Sequence, residues 1–197
     1  MADDLMDLLI SEAKAHQSKS TEFSEFLWTL RLTGARPGEI RNAEAHNYSK
    51  GRLIFRWNTT VGYVHKNAKK TQRDRIIFLT PELQAHVEQL ARLNPTGSLF
   101  TTPRGKKWSP TSIANNWSRL LKRKAIADYC KEQGIDRKSL KMYNFRHSFL
   151  TNWIERAGDI YTVAQLCGTS VKMVEKRYGH PDVDRLHEKY LAFMGGN

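Results

Sequence analysis

No stretch of this 197-residue chain is apolar for long enough to cross a bilayer as a helix. The first ten residues hold three aspartates and no lysine, the wrong charge for a secretory leader. Cysteine is nearly absent. Cys130 and Cys167 are too few for a disulfide framework and lack metal-ligand spacing, which fits a reducing cytoplasm. Both are expected to be small buried apolar side chains. Repeats and low-complexity tracts are also missing. What remains is a foldable chain, long enough for one domain with a sizeable core.

Positive charge is what the sequence has in excess. The formal net charge is +12, and it is unevenly spread. Residues 1–26 hold six acids and two bases. Residues 50–75 hold eight bases against one acid, Asp74, and residues 104–141 hold eleven bases against three acids. Basic blocks inside a foldable sequence point to a polyanion, most simply nucleic acid. A solvated basic surface is the bland alternative.

Periodicity predicts a mainly helical α+β domain with one small three-stranded antiparallel sheet. Phe23, Phe26, Leu27 and Leu30 recur at helical spacing up to a stop at Thr33-Gly34. The period then changes to two, predicting strands at 52–57, 61–66 and 75–79 with a basic hairpin tip. Thr80-Pro81 and Ser109-Pro110 read as helix starts, with Leu83, Val87 and Leu90, then Ile113, Trp117 and Leu120, as the buried stripes. A further helix spans 144–156. Asp159 caps the next, Gly168 ends it, and Ser170 caps a short basic helix carrying Tyr178. The five tryptophans are assigned to the core.

Two short stretches carry chemistry: "TGARPGEI" (33–40) and "YNFRHSF" (143–149). Each sets an arginine, Arg36 or Arg146, among apolar residues. A desolvated guanidinium needs an anionic partner. That partner is either a buried carboxylate (Glu39, Glu44 or Glu155) or an external phosphate. Two guanidiniums can grip one phosphodiester and stabilise the added charge of a pentacoordinate transition state. They would also lower the pKa of a nearby phenol, a weak nucleophile at neutral pH. A hairpin lysine could protonate the departing 5′ oxygen. No metal or other cofactor is then required.

These residues resemble the tyrosine recombinases of the phage-integrase type, over about residues 20–190. "TGARPGEI" is similar to the family's first box and implies Arg36 as its first catalytic arginine. "YNFRHSFLTNWIERAG" is similar to the second and implies Arg146 as the other. "AQLCGTSVKMVEKRYGH" is similar to the last and implies Tyr178 as nucleophile. Lys70, in "KKTQRDRIIFL", matches the hairpin lysine, with Lys69 as the competing assignment. Two positions depart from the pattern. Tyr143 stands where the second box usually has His, and Thr169 where the last box usually has His or Trp. Thr169 can still donate one hydrogen bond to a phosphate oxygen or help cap a helix, and Tyr143 accepts a proton less readily than imidazole. Glu39 and His147 are expected in supporting roles. Lys66, Lys69, Arg73, Lys106, Lys107 and Lys172 are candidate DNA-backbone contacts.

The resemblance implies metal- and ATP-independent, site-specific DNA cleavage and rejoining through a 3′-phosphotyrosyl link. It serves integration or excision of a phage or other mobile element, in the cytoplasm on nucleoid DNA. The alternative is a non-catalytic DNA-binding protein on a degenerate recombinase fold. Residues 1–197 read as a single catalytic domain, without the family's N-terminal clamp domain. The tail 181–197, apolar at Leu186, Tyr190, Leu191 and Phe193, either docks in cis or is exchanged between subunits of a tetramer on DNA.

Overall fold

The computed structural model describes residues 1–15, 22–157 and 159–178, with His187, Leu191 and Met194 beyond them; the side chains of Glu22, Ala157, Arg177 and Tyr178 lie outside the described set. Helix α1 (Asp3–Ala15) opens with Asp3 and Asp4, whose charges suit a helix N-terminus. It buries Leu5, Met6, Leu9 and Ala13 against α2 (Glu22–Thr33) and α7 (Lys124–Glu132). This segment, which the family resemblance left out, is part of the main core. The stop after α2 falls at Gly34, in the left-handed region at φ +58. Then come α3 (Pro37–Arg41) and a 3-10 turn at Ala45–Asn47.

The sheet is antiparallel, three-stranded, in the order β1 (Tyr48–Ser49), β2 (Arg52–Phe55), β3 (Arg75–Phe78). Leu53 pairs with Ile77, and Phe55 with Arg75. The strand expected at 61–66 does not form. Gly62 has φ +81, outside any extended conformation, and both edges of β2 are already taken by β1 and β3. The third strand is instead the two-residue β1. Between β2 and β3 lies a long connection whose only helical turn is α4 (Ala68–Thr71).

Helices α5 (Pro81–Leu93) and α6 (Pro110–Leu121) start where Thr80 and Ser109 accept hydrogen bonds from the amides of Leu83 and Ser112. Asp159 does the same for α9 (Ile160–Cys167), accepting from Tyr161 and Thr162. Two clusters of buried side chains result. The large one spans α1 to the start of α8 (Tyr143–Ala157). The small one gathers Leu150, Val163, Ala164, Cys167 and Val174 from α8, α9 and α10 (Val171–Tyr178). Cys130 and Cys167 are both free and buried. Trp57 departs from the expectation of core tryptophans, standing 39% exposed on the β2–β3 connection. Among the described residues no helix is long and apolar enough to cross a membrane.

Candidate active site

A cleft of about 1000 Å³ lies between the sheet and the small helical cluster. Arg36, Lys70, Tyr143, Arg146, His147 and Thr169 all line it, as do Lys66 and Arg73. Residues from four separated segments thus share one cavity.

Arg36 is the residue before α3, in extended conformation, with Pro37 at the first helical position. Its Nη1 donates to Glu39 Oε1 at 2.7 Å and its Nη2 to the Gly168 carbonyl at 2.7 Å. Glu39 returns the contact by accepting from the Arg36 amide at 2.9 Å. The buried-pair alternative for Arg36 is therefore realised with Glu39. Yet two fixed contacts leave three of its five N–H donors available.

Glu39 is fully buried, and a second guanidinium lies on it. Arg75 donates through Nε to Glu39 Oε1 at 3.3 Å. Burial pushes the Glu39 carboxyl up, but Arg75 and Arg36 outweigh it and hold the group below the usual carboxylate range. Arg75 also donates through Nη1 to the carbonyls of Leu166 and of its neighbour Ile76, each at 2.6 Å.

Among the described residues Arg146 has no carboxylate partner. It is 1% exposed, and its Nη1 donates to the Gly34 carbonyl at 2.8 Å. Its Nε and Nη2 are buried and have no hydrogen-bond partner among the described residues. Leaving such donors unmet costs about 1–3 kcal/mol each, more for a charged group. An arginine kept this way at the wall of a cleft is prepared for an anion. The Tyr143 ring lies 6.0 Å from the Arg146 guanidinium carbon and edge-on to His147, with ring centroids 4.9 Å apart. Tyr143 is 38% exposed, at the cleft mouth.

Thr169 follows the left-handed Gly168 that ends α9. Capping of α10 is done by Ser170, whose Oγ accepts from the Met173 amide at 3.3 Å. The Thr169 side chain is thus spared for the cleft. Lys70 sits on α4, exposed and in no ion pair among the described residues, whereas Lys69 does not line the cleft. Lys66 does line it, and is a second lysine within the same space. Lys106, Lys107 and Lys172 lie outside the lining. Lys107 is paired with Glu44 at 3.0 Å. Tyr178 is the last residue of α10, and its side chain is outside the described residues. Of the four apolar tail residues named above, only Leu191 is described, and it is exposed; Leu186, Tyr190 and Phe193 are outside the description.

Three residues escaped the sequence reading. Arg75 is one, though the period-two pattern that puts Ile77 inward also puts Arg75 inward. Asn67 and Gly168 are the others. The Gly168 carbonyl accepts from both Arg36 and Asn67 Nδ2, the latter at 3.2 Å. No sequence signal marks a backbone acceptor. Among the described residues there is no group of three or more His, Cys, Asp or Glu able to hold a metal ion.

Comparison with known proteins gives consistent relatives. The family model described as "Phage integrase family" matches residues 1–185. Tyrosine recombinase XerD of Staphylococcus aureus is 26% identical over 168 residues, 83% of this chain and 52% of that protein. The chain thus spans about half the length of the curated relatives it matches. Among solved structures, the Tn1549 transposon integrase (aa 82–397) in complex with circular intermediate DNA superposes with TM-score 0.74 at 16% identity. The match covers 98% of this chain and 66% of that one. The catalytic domain of bacteriophage HP1 integrase gives TM-score 0.57 at 17% identity, covering 91% and 86%. These likenesses establish the fold.

Proposed function

The chain belongs to the phage integrase family, and from that premise we propose that it cuts and rejoins duplex DNA at specific sites through a covalent 3′-phosphotyrosine on Tyr178. The observation that carries the proposal is Arg146, buried with Nε and Nη2 unmet at the wall of the cleft that Arg36 also lines. A phosphodiester bound there receives hydrogen bonds from both guanidiniums and from the Thr169 hydroxyl. The Tyr178 phenolate oxygen attacks phosphorus and the bond to the bridging 5′ oxygen breaks. Lys70, or its neighbour Lys66, gives a proton to that oxygen as it leaves. The arginines stabilise the extra negative charge of the five-coordinate state. In the reverse sense a free 5′ hydroxyl attacks the phosphotyrosine, its proton returns to the lysine, and the bond energy is conserved without ATP.

Glu39 acts from beneath, orienting Arg36 and Arg75. Tyr143 packs against Arg146 and reaches the cleft mouth, which suits a phosphate hydrogen bond better than proton abstraction. Lys66, Lys69, Arg73, Lys106 and Lys172 serve as contacts to the DNA backbone, whereas Lys107 is already answered by Glu44, and the enzyme assembles as a tetramer on its site. Its place is the cytoplasm, on chromosomal or element DNA.

The test is direct. The purified chain is mixed with supercoiled plasmid in EDTA and stopped with SDS, alongside Tyr178→Phe. Relaxed plasmid and a covalent protein–DNA adduct, both lost in the variant, are expected. Intact DNA binding with no adduct, in this chain and in one extended to the length of its relatives, would instead identify a non-catalytic DNA-binding protein.

A further inference from the structure

The lysines that line the cleft ride on a connection that no strand holds. Nineteen residues separate β2 from β3, and α4 supplies the one helical turn among them. A loop of that length is not placed by the sheet that bounds it. Lys66, Lys69, Lys70, Thr71 and Gln72 are all exposed, and α4 ends on Gln72 in the left-handed region at φ +49. Against this background Asn67 is half-buried and doubly engaged. Its main-chain carbonyl accepts from the amides of Lys70 at 3.1 Å and Thr71 at 2.9 Å, so the turn that carries Lys70 hangs from Asn67. Its Nδ2 donates to the Gly168 carbonyl at 3.2 Å. The second lone pair of that oxygen takes Arg36 Nη2.

We infer that Asn67 is a positioning residue: its side-chain amide docks the Lys66–Lys70 turn onto the Gly168 carbonyl, so that the proton donor and Arg36 share one anchor. The inference rests on the function proposed above. A general acid must come within hydrogen-bond reach of the leaving oxygen, and an exposed lysine on an undocked loop samples many other positions. Other contacts also hold the loop: the buried Ala68, a hydrogen bond from His65 Nε2 to the Arg73 carbonyl at 2.9 Å, the Tyr63 ring edge-on to Phe55, and Asp74, which accepts from Arg56 Nη1 and the Trp57 amide. They are the rival explanation of its placement.

Two readouts separate these possibilities. The first needs no DNA. Hydrogen exchange is compared for the wild type, Asn67→Ala and Asn67→Asp. The Asp side chain has the same shape but cannot donate to a carbonyl. Both variants are expected to exchange about tenfold faster over 65–74, the loss of one hydrogen bond, with the rest of the chain unchanged. Unchanged exchange over 65–74 overturns the inference in favour of those other contacts. The second readout uses a duplex recovered from a random-sequence pool by SDS trapping of the wild-type chain. It is then synthesised with oxygen or with sulphur at the bridging 5′ position of the cleaved phosphate. A thiolate leaves without a proton. Asn67→Ala is expected to cleave the oxygen duplex about 10- to 100-fold more slowly and the sulphur duplex at the wild-type rate. Equal loss on both duplexes, while Lys70→Ala or Lys66→Ala is rescued by sulphur, overturns the role of Asn67 alone. If neither lysine variant shows a sulphur-selective rescue, or no adduct forms with the wild type, the proton-donor reading and this inference fall together.

Discussion

Single residues at the cleft are held by opposite strategies, and each has a measurable consequence. Arg36 and Arg75 are neutralised from below by one carboxylate, Glu39, while Arg146 is anchored by a carbonyl and has no counter-charge among the described residues. Glu39→Gln leaves Arg75 buried without its counter-charge and is expected to cost about 3–5 kcal/mol in urea unfolding at pH 7. The same variant changes the acid limb. Because the folded state holds Glu39 below its ordinary value, its contribution is complete above the unfolded carboxylate range, about 4.3, and is lost as pH falls further. The fall in wild-type stability below about pH 4 should therefore be shallower in Glu39→Gln. An identical slope would mean that the carboxylate does not carry the load assigned to it. Gly168→Ala tests the shared anchor. Gly168 has φ +60, and a Cβ there would lie 2.7 Å from Arg75 Cδ. Left-handed backbone costs an alanine about 1–2 kcal/mol before any clash. A loss of 2 kcal/mol or more, measured against the milder Gly105→Ala, where φ is +68 but the space is open, is expected.

At the scale of elements, helix caps and motif boxes were legible because their determinants are local. Thr80, Ser109 and Asp159 each satisfy an amide two or three residues ahead. Arg36, Arg146, Thr169 and the basic loop were found through residue identity, and they do converge on one cleft. The strand expected at 61–66 failed because alternation reports which way side chains face, not whether a neighbouring strand offers hydrogen bonds. Val61, the first residue of the expected strand, is 72% exposed. Arg75 and Asn67 were missed since their partners are carbonyls about 90 to 100 residues away, which any amino acid can provide. The packing of α1 was equally unreadable. Part of it is a hydrogen bond from the Tyr129 hydroxyl of α7 to Asp4 at 2.6 Å. That bond, foremost, pushes the Tyr129 phenol up to about 12. A group whose folded value is raised contributes stability below its unfolded value and loses it above, here as pH climbs from about 10 to 12. Burial, and for Tyr48 also its hydrogen bond to Glu88, raises the Tyr48 and Tyr63 phenols as well. Ultraviolet titration should therefore show a tyrosine near 12 that alone moves down toward 10 in Asp4→Asn while those two stay in place. If no such tyrosine appears, α1 is not tied to α7 in this way.

For the molecule as a whole, the polar groups of the cleft form the seam between its two cores. Arg36, Asn67 and Arg75 reach from the side of the sheet to the carbonyls of Leu166 and Gly168, where α9 ends. Buried charge is thus used where two apolar clusters meet, and a phosphate entering the cleft touches groups that also hold the clusters together. The same side of the molecule carries part of the excess positive charge. Lys66, Lys70 and Arg73 line the cleft, and none of them is in an ion pair among the described residues. Their charges are therefore free to replace counterions on DNA. Each phosphate neutralised contributes about 0.9 to the slope of log affinity against log salt. Changing all three residues to Gln should lower that slope by about 2.7 on a duplex of unrelated sequence, read by fluorescence anisotropy between about 50 and 300 mM KCl. Changing Lys107 and Lys124, which are paired with Glu44 and Asp128, should alter it less, because part of their charge is already answered within the protein. A slope that falls by the same amount per charge in both sets would show that DNA follows the overall charge of +12 and not the cleft. A response confined to the first set would trace the DNA backbone across the mouth where Arg146 waits with its donors unmet.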